Sequence, residues 1–187
     1  MSIREAAAEL APDLIEPVVG YRLWSVHGDR LYSPFRGDVW EDVELRARCL
    51  LGAHDPGDVP ATDCSCGVYA YYDQPPRSSA ATRDLVIGAV LAWGQVELHG
   101  AGMRVSHARI LALALPPTHG RKRRMLVAAA NYLEVPTVSW RQLRRVAKGT
   151  GSPAPRSLRP PRTPLPWVCP MGVARSSARP RSTGRRG

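Results

Sequence analysis

The stretch Leu85-Val-Ile-Gly-Ala-Val-Leu-Ala-Trp-Gly-Gln-Val-Glu-Leu98, then His99-Gly-Ala-Gly102 and Met103-Arg-Val-Ser-His-Ala-Arg-Ile-Leu-Ala-Leu113, decides the fold. The first arm is rich in β-branched and large apolar side chains. The glycine-rich break is turn chemistry, and the second arm alternates apolar with polar residues. The pattern predicts two long antiparallel strands joined as a hairpin. Gly88 and Gly94 mark a bulge or bend in the first of them.

Outward toward the N-terminus, Tyr21 to Val26 alternates and His27-Gly-Asp-Arg30 supplies a tight-turn pair before Leu31 to Phe35, a second hairpin. Pro34 marks an edge or the strand's end. Trp40 to Leu51 alternates through Val43, Leu45, Ala47 and Cys49, which places Cys49 on an apolar face near a strand end. Residues 52–63 hold three Asp, two Gly and two Pro and read as a loop. Cys66 to Tyr72 is a strand or the first turn of a helix. Residues 2–10 fit a short amphipathic helix that Asp13 to Pro17 breaks.

Toward the C-terminus the period changes. Met125 to Leu133 is helical by propensity and Val135-Pro136 stops it. Ser139 is placed to cap a second helix, Trp140 to Lys148, with Gly149 at its end. From Thr150 onward Pro, Arg, Ser and Gly dominate, the composition of a disordered tail. The fold expected is α+β: a small antiparallel β core followed by two helices and a disordered basic tail. The segments are 1–19 (N-terminal helix and lead-in), 20–115 (β core with a candidate metal loop), 116–149 (basic helical segment) and 150–187 (tail). With 187 residues and a 44% apolar share, one domain with a real core is expected.

Charge is divided unevenly. Residues 1–120 carry 10 Lys and Arg against 15 Asp and Glu, a net of −5, whereas residues 121–187 carry 16 against one, a net of +15. An acidic body with a basic arm follows. Met1 to Leu10 lacks a basic start and apolar run of the secretory kind. The longest apolar stretch, Leu85 to Trp93, falls short of the about 20 residues that span a bilayer. The expectation is a soluble, cytoplasmic protein with no membrane partner.

Cys49, His54, Cys64 and Cys66 read Cys-x4-His-x9-Cys-x-Cys. In a reducing cytosol such clustering points to metal or reactivity more than to a disulfide. Thiolates and an imidazole fill a tetrahedral zinc shell, so a structural zinc is the expected cofactor. Cys64 and Cys66, two apart, share one face of a strand or pinch one ion in a turn, and Gly67 permits close backbone approach. Two other readings stand beside it: inert thiols acting as small hydrophobes, and a redox pair in Cys64 and Cys66, whose spacing is not that of thioredoxin-like sites.

An enzyme would pair a Cys66 thiolate with His99 or His107. The alternative makes Glu97, His99 and His107 the polar face of the long hairpin. Arg121, Lys122, Arg123 and Arg124 form one basic run, and Arg141, Arg144, Arg145 and Lys148 recur at helical spacing as one stripe. These residues suit sequence-independent contact with a polyanion or nucleic acid. The overall expectation is a non-enzymatic binding or adaptor module, stabilised by zinc, with non-specific polyanion affinity. A Cys/His enzyme and a nucleic-acid binder acting through 121–148 are the alternatives.

Gly20-Tyr-Arg-Leu-Trp24, Trp40, Cys49, His54, Cys64-Ser-Cys-Gly-Val-Tyr-Ala70 and Gly88-Ala-Val-Leu-Ala-Trp-Gly-Gln-Val-Glu-Leu-His99 together resemble a family of small uncharacterised proteins of high-GC bacteria. Its signature carries a Pro three residues after the His, whereas Pro56 here comes one place earlier. The resemblance implies that 20–115 is one unit; it implies no activity.

Overall fold

The computed structural model describes residues 14–34, 38–74, 85–116 and 120–161. The helix expected over 2–10 and the tail beyond residue 161 lie outside the described residues. In chain order the elements are β1 (Leu14–His27), β2 (Arg30–Tyr32), β3 (Val39–Trp40), β4 (Glu44–Arg46), β5 (Val68–Tyr71), β6 (Val86–Leu98) and β7 (Gly102–Ala114). They are followed by α1 (Arg121–Tyr132), β8 (Thr137–Val138) and α2 (Trp140–Thr150). Among the described residues the result is α+β, one mostly antiparallel sheet with two helices. No helix among the described residues is long and apolar enough to cross a membrane.

The long hairpin forms as expected: β6 and β7 pair from Gly88↔Leu113 to Leu98↔Met103. Gly94, at φ +81, sits inside the register shift between Trp93 and Val96, so the bend falls on a residue free to adopt that angle. Gly88 serves another purpose. A Cβ there would lie 2.6 Å from the Ala112 carbonyl oxygen and 2.9 Å from Trp24, so the missing side chain lets strand and core close together.

β1 runs the other edge of β6, Val18↔Ala92 through Trp24↔Val86, and turns at Gly28-Asp29 into β2. It begins at Leu14, earlier than expected. The segment read as a helix-breaking lead-in is already strand, with the irregularity from Leu14 to Val18 absorbing Pro17. β5 pairs with β7 over four residues and touches β1 at Tyr21↔Tyr71, so β1, β6, β7 and β5 close into a ring.

Side-chain parity divides the core. Even-numbered positions of β1 (Val18, Trp24, Val26) join Val86, Val90, Met103, Val105 and the α1 residues Leu126, Ala129 and Ala130 in one cluster. Odd-numbered ones (Val19, Tyr21, Leu23) join Ile87, Ala89, Ala112 and the α2 residues Leu143 and Ala147 in another. With both faces covered, β6 reads as a near-continuous apolar run. Arg22 is buried with the first cluster, donating to the Tyr69 carbonyl at 2.6 Å and the Ser33 hydroxyl at 2.7 Å beside Trp24 and Trp40. Burial pushes its guanidinium down to about 10.

Three expectations are corrected. Trp40 to Leu51 is two short strands, because the Asp42 carboxylate accepts the Val43 N–H at 2.6 Å and breaks the extended run. Cys49 therefore stands in the turn beyond β4. α2 continues through Gly149 to Thr150 and is capped by Gly151. Residues 151–161, assigned to the tail by composition, pack on the body: the Val19 N–H donates to the Ser152 carbonyl at 2.8 Å, and Ala154 is buried. The start of α2 is as expected, with Ser139 and Gln142 forming a reciprocal capping box.

Candidate metal centre

β4 and β5 lie end to end on one edge of β7. Arg46 pairs with His107 and Val68 with Val105, so the chain leaves β7 at one residue and returns two residues away. The Ala47 N–H fills the gap by donating to the Ser106 carbonyl at 2.7 Å. Residues 47–67 are thus one excursion with its two ends pinned together, and all four candidate ligands lie on it. Cys49 opens a turn closed by the Gly52 N–H, with Gly52 at φ +65. His54 follows, and a one-turn 3-10 helix at Pro56–Asp58 sends the chain back. A turn from Ala61 to Cys64 and Gly67 at φ +114 then present Cys64 and Cys66 before β5.

One donor atom from each of Cys49, His54, Cys64 and Cys66 lies within 4.8 Å of the others, close enough to hold a metal ion. The Cys49 and Cys64 sulfurs are 3.9 Å apart. Two thiolates on a tetrahedral ion with bonds near 2.3 Å stand about 3.8 Å apart, so this spacing fits a shared ion. His54 is oriented to match. Its Nε2 lies 3.2 Å from the Asp63 carboxylate, and its Nδ1 is buried with no hydrogen-bond partner at regular geometry among the described residues. A carboxylate on the far nitrogen fixes the tautomer that leaves the near nitrogen's lone pair for a metal.

Electrostatics agree with the geometry. Pairing with the neighbouring imidazole holds the Cys49 thiol down at about 6 and raises His54. Cys66 is fully buried, which pushes its thiol up, although its sulfur accepts the Ala61 N–H at 3.4 Å. A thiol so placed is a poor nucleophile without a cation to hold its charge. Its neighbours are the other three members of the set. His107 instead stacks on Trp93 and faces Ser106 at 2.9 Å. Glu97 and His99 do share a face, 3.6 Å apart.

Arg104, opposite Glu97 on the hairpin, is the residue that sequence reasoning missed. It is 4% exposed, and its guanidinium donates to the carbonyl oxygens of Cys64, Cys66 and Ala61 while pairing with the Glu97 carboxylate. Three carbonyls of the excursion are thereby drawn to one cation. Burial lowers His99 to about 4, with help from the Arg104 charge. Asp63 was equally inconspicuous, one acid among several in a loop.

The basic residues divide. On α2, Arg141, Arg144, Arg145 and Lys148 are exposed opposite the buried Leu143 and Ala147, as the spacing predicts. Arg144 also donates to Gln74 at 2.9 Å. The run Arg121 to Arg124 is the first turn of α1. Arg121 and Arg124 are exposed there, whereas Lys122 and Arg123 donate to the Leu85 and Pro116 carbonyls.

Compared with known proteins, the chain matches no family model, no curated protein and no solved structure. The resemblance of Gly20 to Leu113 to a bacterial family rests on its motif residues alone.

Proposed function

We propose that this protein is a non-enzymatic binding or adaptor module whose β4–β5 excursion is stapled by a structural zinc ion on Cys49, His54, Cys64 and Cys66. The observation that carries the reading is the convergence of one donor atom from each of these four residues within 4.8 Å, with the His54 Nε2 on Asp63 and its Nδ1 buried without a hydrogen-bond partner among the described residues. Three sulfurs and an imidazole suit zinc better than a hard, oxygen-seeking cation. Four protein donors leave no open position for substrate, which argues for a structural role. Zn²⁺ with three thiolates and a neutral imidazole carries one net negative charge, and the Arg104 guanidinium, itself paired with Glu97, holds the Cys64 and Cys66 carbonyls beside it. Free thiols of this kind belong in a reducing compartment, and we place the protein in the cytoplasm. Metal analysis of the purified full-length chain, with a Cys66→Ser variant beside it, tests the reading. About one zinc per chain is expected, with lost stability on chelation. Unchanged thermal stability in both the metal-free protein and the variant overturns it.

A second reading concerns partners. Neither α1 nor α2 has an acid in its first turn, although helix N-termini favour anions, and Arg123, Trp140 and Arg141 line one groove where the two helices begin. This surface supports non-specific affinity for a polyanion such as nucleic acid, through phosphates rather than bases. A salt titration of nucleic-acid binding checks it: affinity falling steeply with salt is expected, and none at low salt ends the idea.

A further inference from the structure

The three cysteines of the cluster are not equivalent. Cys49 and Cys64 are partly exposed with sulfurs 3.9 Å apart, whereas Cys66 is 0% exposed and its sulfur is held by the Ala61 N–H. The Cys64 side of that pair is fixed, because Arg104 grips the carbonyls on either side of it. The Cys49 side is a turn whose residues Leu50 to Ala53 are all exposed, Leu51 by 77%. A disulfide needs its sulfurs at about 2.0 Å, so roughly 2 Å of approach by Cys49 closes the gap without disturbing the gripped segment.

We propose that the centre is a redox exchange site: a hydroperoxide oxidises Cys49 and Cys64 to a disulfide, which releases the metal while keeping the excursion tied. The metal half rests on the zinc reading above; the sulfur half stands on the geometry alone. One thiolate attacks the distal peroxide oxygen, the O–O bond breaks, and the alcohol or water leaves with a proton, giving a sulfenic acid. The other thiolate attacks that sulfur, the S–S bond forms, and the hydroxyl departs as water with a second proton. Two thiolates have lost two electrons and the peroxide has gained them. The ion, left with Cys66 and His54, dissociates. A covalent staple then stands where the metal stood, so oxidation costs the site its ion but not its closure.

The test uses full-length protein carrying Cys169→Ser, to remove a thiol outside the described residues, loaded with zinc. Hydrogen peroxide is added, zinc release is followed with a chromogenic chelator, and the oxidised chain is digested and mapped by mass. About one zinc per chain released with a Cys49–Cys64 linkage, both reversed by dithiothreitol and added zinc, is the expected result. Zinc retained under peroxide, a linkage through Cys66, or sulfinic acid without a disulfide overturns the proposal and leaves the zinc reading standing. Protein that takes up no zinc overturns the zinc reading and the release. Mapping that metal-free chain then decides the sulfur half: a Cys49–Cys64 linkage upholds it, and its absence ends it.

Discussion

The Arg104 guanidinium donates to the carbonyl oxygen of Cys66 over 2.9 Å, across 38 residues of chain. The same group reaches the Cys64 and Ala61 carbonyls and the Glu97 carboxylate, so one buried cation ties the long hairpin to the Cys/His excursion. Once the carbonyls of the Cys64–Cys66 turn are held on the arginine side, the two side chains have less freedom to leave the cluster. The hairpin is the most extensively paired part of the described residues, and through Arg104 it orders the loop that carries the candidate ligands.

Replacing that cation should be costly. Arg104→Met leaves the Glu97 carboxylate half-buried and three carbonyls without their donor; breaking such a buried pair costs about 3–5 kcal/mol. Arg104→Lys is expected to recover only part of it, because a compact ammonium cannot reach three carbonyls and a carboxylate in the guanidinium's fork. Urea unfolding of the two variants beside the parent measures both losses. Full rescue by lysine would show that charge alone matters there.

Asp63 acts at the other end of the cluster. Its side chain is 80% exposed, so losing it should leave the fold intact, yet it holds the His54 Nε2. Asp63→Asn is expected to lower metal affinity by about 10–100-fold with little change in the stability of the metal-free chain. Competition against a chelator of known affinity reads the first quantity and urea unfolding of metal-free protein the second. Unchanged affinity would mean that the carboxylate does not orient the imidazole.

What the sequence revealed follows from how far each signal extends. β6 and β7 repeat their pattern over a dozen residues, and Ser139 with Gln142 caps α2 through a local rule, so both were legible. The four candidate ligands were legible because Cys and His are scarce and these stand close in sequence. β8 is two residues long and has no period to detect; it exists because the Leu113 and Leu115 N–H groups find acceptors at Pro136 and Val138. Arg104 alternates with Met103 and Val105 and so looks like a solvent-facing strand residue. Only the fold, by laying the excursion over it, makes it a buried cation. Ser152 to Ala154 was hidden by composition, since proline-rich sequence looks the same docked or free.

That docked segment gives a third prediction. A chain ending at Thr150 loses the Ser152 acceptor for the Val19 N–H, the buried Ala154 and the Arg159 guanidinium 4.3 Å from the Tyr72 ring centre. The lost hydrogen bond and packing should cost about 1–3 kcal/mol relative to the full chain, read as a lower urea midpoint. Ala154→Asp in the full chain should fall in the same direction, because a carboxylate would be buried there without a partner. A truncated chain as stable as the parent would show that the segment contributes nothing.

The hairpin end also makes stability depend on pH. His99 is held at about 4 by burial and then by the charge of Arg104, against an ordinary value near 6.5. Above pH 6.5 neither folded nor unfolded chain protonates it, and its contribution is fully present. As pH falls from about 6.5 toward 4 the unfolded chain takes up a proton that the folded chain refuses, so stability declines through that window. Glu97, raised by burial, works in the opposite sense, since the folded chain accepts its proton first. Protonation of the thiolates would weaken metal binding in the same range, so the informative measurement is a comparison. His99→Gln keeps the candidate metal ligands and Arg104 and removes this titration. Between about pH 7 and pH 5 the parent should lose about 1 kcal/mol more than the variant, a value reduced for solvent screening because the His99 side chain is 34% exposed. Equal losses in the two proteins would place the acid sensitivity elsewhere, with the Cys49 thiol, held down at about 6, the next group to test.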